Sequence, residues 1–232
     1  VSTGAAGTLR YERESVEFAR TFAFLDAVYA IALTLLVINI DPPEASAWTS
    51  VSALLSSGLG WQLLGFAISF AVIAVFWRVN HRIVSGFSAI SPATITVNLV
   101  AIAFIVLIPF STQGISDVAL TDEPLTVAVY ALNISLAVLA QATVYIVARR
   151  DGLLRDPLPR RADAVNLIDT LTTPVIFLAS IPVAYLLGAD WGRYTWLLLL
   201  VVGPISGAWA KRRVALITAS AAGHPADRDV AT

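Results

Sequence analysis

Few side chains in this sequence could do chemistry, and several of them fall in one stretch. From Arg20 to Ile40 the chain reads RTFAFLDAVYAIALTLLVINI, with an arginine, an aspartate and then an apolar run broken by one hydroxyl, Thr34. An ionisable side chain at the centre of a membrane helix costs at least ~2.5–3.5 kcal/mol on insertion scales. Such residues therefore face protein or water and mark braces, ion paths or proton relays. Asp26 is expected to find a partner inside the protein, and Arg20, His81, Arg82 and Asn98 are the candidates. Two readings stay open for it. One is a polar brace that fixes the helix; the other is a relay in which His81 titrates near neutral pH. Other chemistries lack their residues. The absence of cysteine excludes disulfides, thiol catalysis and cysteine metal sites. His81 and His224 are the only histidines, and the sequence shows no two-histidine metal spacing and no nucleophile–base pair. It therefore does not read as an enzyme, and no cofactor and no nucleic-acid partner are expected.

The elements that must position Asp26 and Thr34 are membrane helices. The 232 residues are 57% hydrophobic and 13% charged, with a mean hydropathy of +0.78, whereas a soluble domain is about a quarter charged. A span needs about 20 mostly apolar residues, and six segments qualify: Phe18–Ile40, Trp61–Val79 (with Trp48 as an earlier start), Pro92–Thr112, Leu125–Ala148, Ala164–Leu187 and Trp191–Lys211. Asp41, Pro42 and Pro43 end the first, and Pro174, Pro182 and Pro204 predict kinks in the last two, because proline removes a backbone donor. The expected organisation is an all-α membrane protein. A flexible N-terminus (1–17), read as trimmed or mobile because VSTGAAG lacks the basic start of a signal peptide, precedes a six-helix domain (18–214). A flexible tail (215–232) follows it.

Charge orients this set of spans. Every lysine and arginine except Arg193 falls in the two tails, in the loops after spans two and four, or at the span ends beside them. The loops after spans one and three carry Asp41, Glu44, Asp117, Asp122 and Glu123 and no basic residue. The positive-inside rule then makes both termini cytoplasmic. The cluster Arg149–Arg161 reads either as a topology signal alone or as a site for anionic lipid head groups.

On a helical wheel, Ala27, Ile31, Thr34, Leu35 and Ile38 fall on one stripe, with Arg20 and Phe24 one to two turns below it. Asp26 lies off that stripe, toward the opposite side. Ordinary helix packing gives the same stripe, and Thr34 can satisfy itself on a carbonyl one turn earlier. Spacing alone leaves packing and a pore both open.

Three motifs narrow the choice. Arg20-x-x-x-Phe24-Leu25-Asp26 with its aliphatic continuation, FWRVNHR (Phe76–Arg82) and VNLVAIAFIVLIPFST (Val97–Thr112) resemble the signature of the transmembrane protein 175 family of potassium channels. The resemblance is strongest over Arg20–Thr112. It implies a prokaryotic homotetramer of six-span subunits whose first helices line a central pore, without a carbonyl filter loop. It assigns the constriction to Ile31, Leu35 and Ile38, a potassium site to Thr34, and a structural brace to Arg20, Phe24, Asp26, His81 and Asn98. The family serine between the phenylalanine and the aspartate is Leu25 here, which removes one hydroxyl from that brace. The expected function is then a leak-type cation channel of the plasma membrane, modestly selective for potassium over sodium, with potassium as permeant and membrane lipids and its own copies as partners. Asp41 at the outer mouth either gathers cations or simply stops the helix. A proton-coupled secondary transporter and a structural membrane subunit are the alternatives. Against the transporter stand the lack of an internal repeat and of a charge-rich midplane site.

Overall fold

The computed structural model describes residues 2–3, 9–120 and 122–222. Helix α1 (Val16–Leu35) continues as a 3-10 turn over Leu36–Asn39. Ser15 starts it: the Phe18 N–H donates to the Ser15 hydroxyl at 3.2 Å, satisfying one of the amides that a helix leaves without an internal partner. A 3-10 turn at Ala45–Thr49 and the short α2 (Val51–Ser56) lead to α3 (Leu59–Ser85). The second span therefore begins at Leu59. Gly58, with φ of 83°, sits in the left-handed region that ends α2 and opens α3. At its other end α3 runs past Val79, so Arg78, His81 and Arg82 belong to its last turns and not to a loop.

The third span is divided. Helix α4 (Pro92–Val106) passes through Leu107 into α5 (Ile108–Ser116), because Pro109 has no N–H to give the preceding turn. Helices α6 (Pro124–Arg150) and α7 (Arg160–Leu187) follow, and Pro174 and Pro182 lie inside α7. The sixth segment begins later than its hydropathy suggests. Helix α8 (Ala189–Tyr194) and a 3-10 turn (Thr195–Leu197) precede α9 (Leu198–Ala222), which contains Pro204. Among the described residues, five segments are long and apolar enough to cross a membrane: 16–39, 59–85, 92–116, 124–150 and 160–187. Helix α9 packs against α7 and is apolar up to Ala210, but then carries Lys211, Arg212 and Arg213.

Both tails hold more structure than their composition suggests. Strand β1 (Ser2–Thr3) pairs with β2 (Leu9–Glu12), and β2 pairs antiparallel with β3 (Ala89–Ile90), Tyr11 opposite Ile90. The Arg13 guanidinium donates to the Phe87 carbonyl at 3.0 Å and the Ser85 carbonyl at 3.3 Å, a cation on the C-terminal carbonyls of α3. Within residues 1–17, expected as a flexible lead, the described residues 2–3 and 9–12 form strands. Residues 215–222, expected as tail, continue α9 because Val214, Ala215, Leu216 and Ile217 keep a helical apolar run beyond the basic triplet. His224 and Arg228 lie outside the described residues.

Helix α6 is the hub, packing against α3, α4, α5, α7 and α8. It buries Val127, Tyr130, Ala131, Ile134, Ala137 and Val144 together with three polar side chains. Each polar side chain is bonded. Asn133 donates to the Ser111 hydroxyl, Ser135 to the Ala131 carbonyl, and Gln141 to the Phe76 carbonyl at 2.9 Å, while the Asn133 amide oxygen accepts no hydrogen bond among the described residues. Tyr130, Phe177 and Trp196 stack with ring centroids 5.0–6.1 Å apart. At Gly65 on α3, a Cβ would lie 2.2 Å from the Ser116 hydroxyl of α5. A larger residue there would force the Ser116 side chain to move, in keeping with small residues where membrane helices meet.

Candidate functional site

Helix α1 has two unlike faces. Leu25, Tyr29, Ala32 and Leu36 are all at most 2% exposed and pack into the main core with Ile73, Ile105 and Ile134. The other face is uncovered: Phe24 is 56% exposed, Ile31 56% and Ile38 70%, with Ala27 and Thr34 also exposed between them. These positions recur at intervals of four and three residues, so they form one continuous stripe along the helix. Leu35 is half-buried and flanks the stripe instead of standing on it. The Thr34 hydroxyl donates to the Ile31 carbonyl at 2.8 Å. Its hydrogen is thereby occupied and its oxygen lone pairs remain available to an outside partner.

The polar residues near the base of α1 gather differently from the expectation. Asp26 does not lie opposite the stripe, a side occupied by Leu25 and Tyr29, but on the flank that meets α3. There the Trp77 indole N–H donates to its carboxylate at 2.9 Å. Arg20 is exposed, and among the described residues it forms no ion pair with Asp26. Six residues at about 100° each put the two side chains on different sides of the helix. His81, one turn beyond Trp77, stacks on its ring with centroids 5.6 Å apart and does not reach Asp26 directly. Asn98 is buried on α4, with its amide oxygen accepting no hydrogen bond among the described residues. Phe24 points outward. Of the residues expected to form a brace, Asp26 is bonded to Trp77, which stacks with His81, while Arg20, Phe24 and Asn98 lie apart from that contact. Leu25 fills a core position, which explains how an apolar side chain is accommodated where a hydroxyl was expected.

At the far end, Asn39 donates to the Pro109 carbonyl at 2.6 Å, tying the 3-10 turn to α5. The Asp41 N–H donates to the Gln62 side chain at 3.0 Å, and Asp41 itself is exposed. The described residues hold no group of acidic, histidine or cysteine side chains suited to a metal ion.

Comparison with known proteins decides what this framework belongs to. The sequence profile of the family described as endosomal/lysosomal potassium channel TMEM175 matches residues 20–109, from Arg20 through α1, α3 and α4 to Pro109. A potassium channel of Streptomyces collinus is 30% identical over 158 residues, which cover 64% of this chain and 71% of that relative. The chain belongs to the TMEM175 family of potassium channels. The solved structure of a lysosomal potassium-selective channel TMEM175 homolog from Chamaesiphon minutus matches with a TM-score of 0.62 at 24% identity, covering 86% of this chain and 99% of that one. A crystal structure of the potassium channel MtTMEM175, a variant bound to a nanobody fusion, gives a TM-score of 0.59 at 17% identity, covering 92% and 99%. At these identities the two structures establish the helical membrane fold. Within the TMEM175 family this chain is a multi-pass membrane channel protein and not an enzyme.

Three polar sets in this TMEM175 member escape a reading by motif. Trp77 was visible only as part of an aromatic stretch. An indole N–H is donor-only, so a tryptophan and a carboxylate on neighbouring apolar helices are natural partners. On the α6–α7 pair, Arg149 forms an ion pair with Asp163, which also accepts from the Tyr145 hydroxyl at 2.6 Å. Deeper in α7, Asp169 accepts from the Ser206 hydroxyl of α9, and Ser206 lies 3.2 Å from the Thr172 hydroxyl. Asp169 was legible as a carboxylate well inside a span, a position that demands a partner.

Proposed function

We propose that the chain forms a homotetramer in the plasma membrane of a prokaryote, with both termini cytoplasmic, and conducts potassium along an axis lined by α1. The observation that carries this reading is the uncovered stripe of Phe24, Ala27, Ile31, Thr34 and Ile38, because its opposite face is wholly occupied by the core. Four copies of that stripe facing one axis would stack apolar rings at Ile31 and Ile38, with Leu35 closing the seam between neighbours. A narrow apolar constriction gates by dewetting, so conduction requires the rings to widen enough to admit water with the ion. Thr34 supplies the hydroxyl ring. With its proton held by the Ile31 carbonyl, its oxygen can replace part of the hydration of a cation. Potassium sheds water more readily than sodium, which gives the direction of preference, and a hydroxyl ring is a weaker device than stacked carbonyls, which keeps the preference modest. Asp41, exposed beyond the end of the stripe, concentrates cations at the mouth. The Asp26–Trp77 bond fixes the lean of α1 on α3.

The orientation rests on charge. Strand β2, the α3–α4 connection and the α6–α7 connection meet at one end of the bundle, and almost all of the basic residues belong to that end. The test is ion flux through the purified protein in liposomes under potassium and sodium gradients, with Thr34→Ala alongside. Passive flux favouring potassium, with the preference reduced in Thr34→Ala, is expected. Flux that needs a proton gradient, or a selectivity indifferent to Thr34, would overturn the reading.

A further inference from the structure

The arginine-rich end of the bundle contains a cavity that conduction along α1 does not use. Its volume is about 350 Å³, and its wall includes Arg82 from α3, Tyr145 from α6 and Leu154, Arg155, Asp156 and Leu158 from the α6–α7 connection. That size lies within the range of small-ligand sites. The wall is preformed, because the connection is pinned in three places. The Arg155 N–H donates to the Gly86 carbonyl at 3.0 Å, the Ser88 N–H donates to the Leu153 carbonyl at 2.8 Å, and the Arg10 guanidinium donates to the Asp151 carbonyl at 2.6 Å. Arg149 is already neutralised by Asp163, and the Tyr145 hydroxyl gives its proton to the same carboxylate, which leaves its oxygen as an acceptor. Arg82 and Arg155 differ from Arg149. Both are exposed, and among the described residues neither guanidinium has a carboxylate partner. The cavity therefore presents two free planar cations against one carboxylate, beside apolar Leu154 and Leu158.

We propose that this cavity binds a phosphate-bearing anion, clasped between the guanidinium groups of Arg82 and Arg155. Two sources share that chemistry: the head group of an acidic phospholipid and free phosphate. Guanidinium groups bind phosphate oxygens through charge-assisted pairs of hydrogen bonds, and basic pockets beside membrane helices suit acidic head groups. Asp156 and the Tyr145 oxygen add acceptors beside the cations, so a head group with hydroxyls next to its phosphate, such as phosphatidylglycerol, is matched at both ends. Leu154 and Leu158 offer an apolar edge for the first acyl carbons.

The proposal concerns binding alone and does not depend on conduction, so its test reads binding. Purified full-length protein in detergent is titrated with phosphatidylglycerol or phosphatidylcholine and followed by native mass spectrometry, with and without millimolar inorganic phosphate. The Arg82→Gln/Arg155→Gln double variant and each single variant are compared, with Arg160→Gln as a control outside the cavity. Size-exclusion profile and melting temperature report folding. Preferential retention of phosphatidylglycerol is expected, with each single variant weakened about tenfold or more by the loss of a charge-assisted contact and the control unchanged. Phosphatidylglycerol that resists inorganic phosphate identifies the lipid as ligand. Saturable, arginine-dependent binding of inorganic phosphate that displaces the lipid identifies free phosphate. The proposal is overturned if folded single variants bind both anions as the wild type does, or if neither anion is retained over phosphatidylcholine.

Discussion

Helices α1 and α6 are both long, apolar and built from aliphatic residues, yet they occupy opposite situations. Helix α6 is surrounded and hides Asn133, Ser135 and Gln141, each matched to a partner. Helix α1 lies at the margin, covered on one side by α3, α4 and α5 and bare on the other. A bare apolar side is ordinary for a helix in lipid, where hydrophobicity does not drive helices together. On the proposed reading, what sets α1 apart from a lipid-facing helix is the sequence of its bare side: a hydroxyl flanked by Ile31 and Ile38 on one stripe, an arginine at one end and an aspartate beyond the other. Lipid gains nothing from Thr34, and a partially dehydrated cation does. The same bulk hydropathy thus serves cohesion in α6 and, on the proposed reading, an ion path in α1.

Substitutions can break this contrast, beginning with the largest effect. Tyr130→Ala empties a fully buried site stacked against Phe177 and Trp196. It should cost about 3–5 kcal/mol, read as a collapse of thermal stability in detergent, with current lost only in proportion to folded protein. A small shift in melting would show that α6 is not the hub. Ile31→Asn on the bare side of α1 should do the reverse. Stability should hold while basal potassium current rises, because an amide wets an apolar ring; unchanged current with normal assembly would remove Ile31 from the constriction. Trp77→Phe keeps the ring against His81 but deletes the donor to Asp26. Hydrogen bonds between membrane helices average about 0.6 kcal/mol, so a slight destabilisation is expected, together with altered gating. Combination with Asp26→Asn should add little, since the two side chains form one contact; fully additive effects would mean that they act apart.

Much of this was legible in the sequence, and the failures share a cause. Hydropathy picks out the five segments that qualify as spans among the described residues, though not the sixth that was expected, and periodicity finds the exposed stripe of Ile31, Thr34 and Ile38, because both depend on neighbours within one helix. Pairings across helices are different. Arg20 was one of four candidate partners of Asp26, by proximity in sequence, yet their spacing of six residues separates them around the helix, and Trp77 on α3, not among the candidates, takes the carboxylate. Leu35 fell on the wheel's stripe but is half-covered, since the edge of a face is set by where the next helix leans. The start of the last helix moved from Trp191 to Leu198 because Trp196 is held in a 3-10 turn, stacked on Tyr130 and Phe177 and bonded to Ser180. The strand at Leu9–Glu12 exists through its pairing with Ser2–Thr3 on one side and Ala89–Ile90 on the other, which no local pattern announces.

The chain has no cysteine, so single cysteines can be placed along α1 without background. In reconstituted channels, a small cationic thiol reagent applied from water would be scored for block of potassium current at Phe24, Ala27, Ile31, Thr34 and Ile38, with Leu25, Tyr29 and Ala32 as buried counterparts. A pore lined by α1 requires block to recur at the first set and to be absent from the second. Full current untouched by modification along the first set would contradict it and send the ion path to another helix.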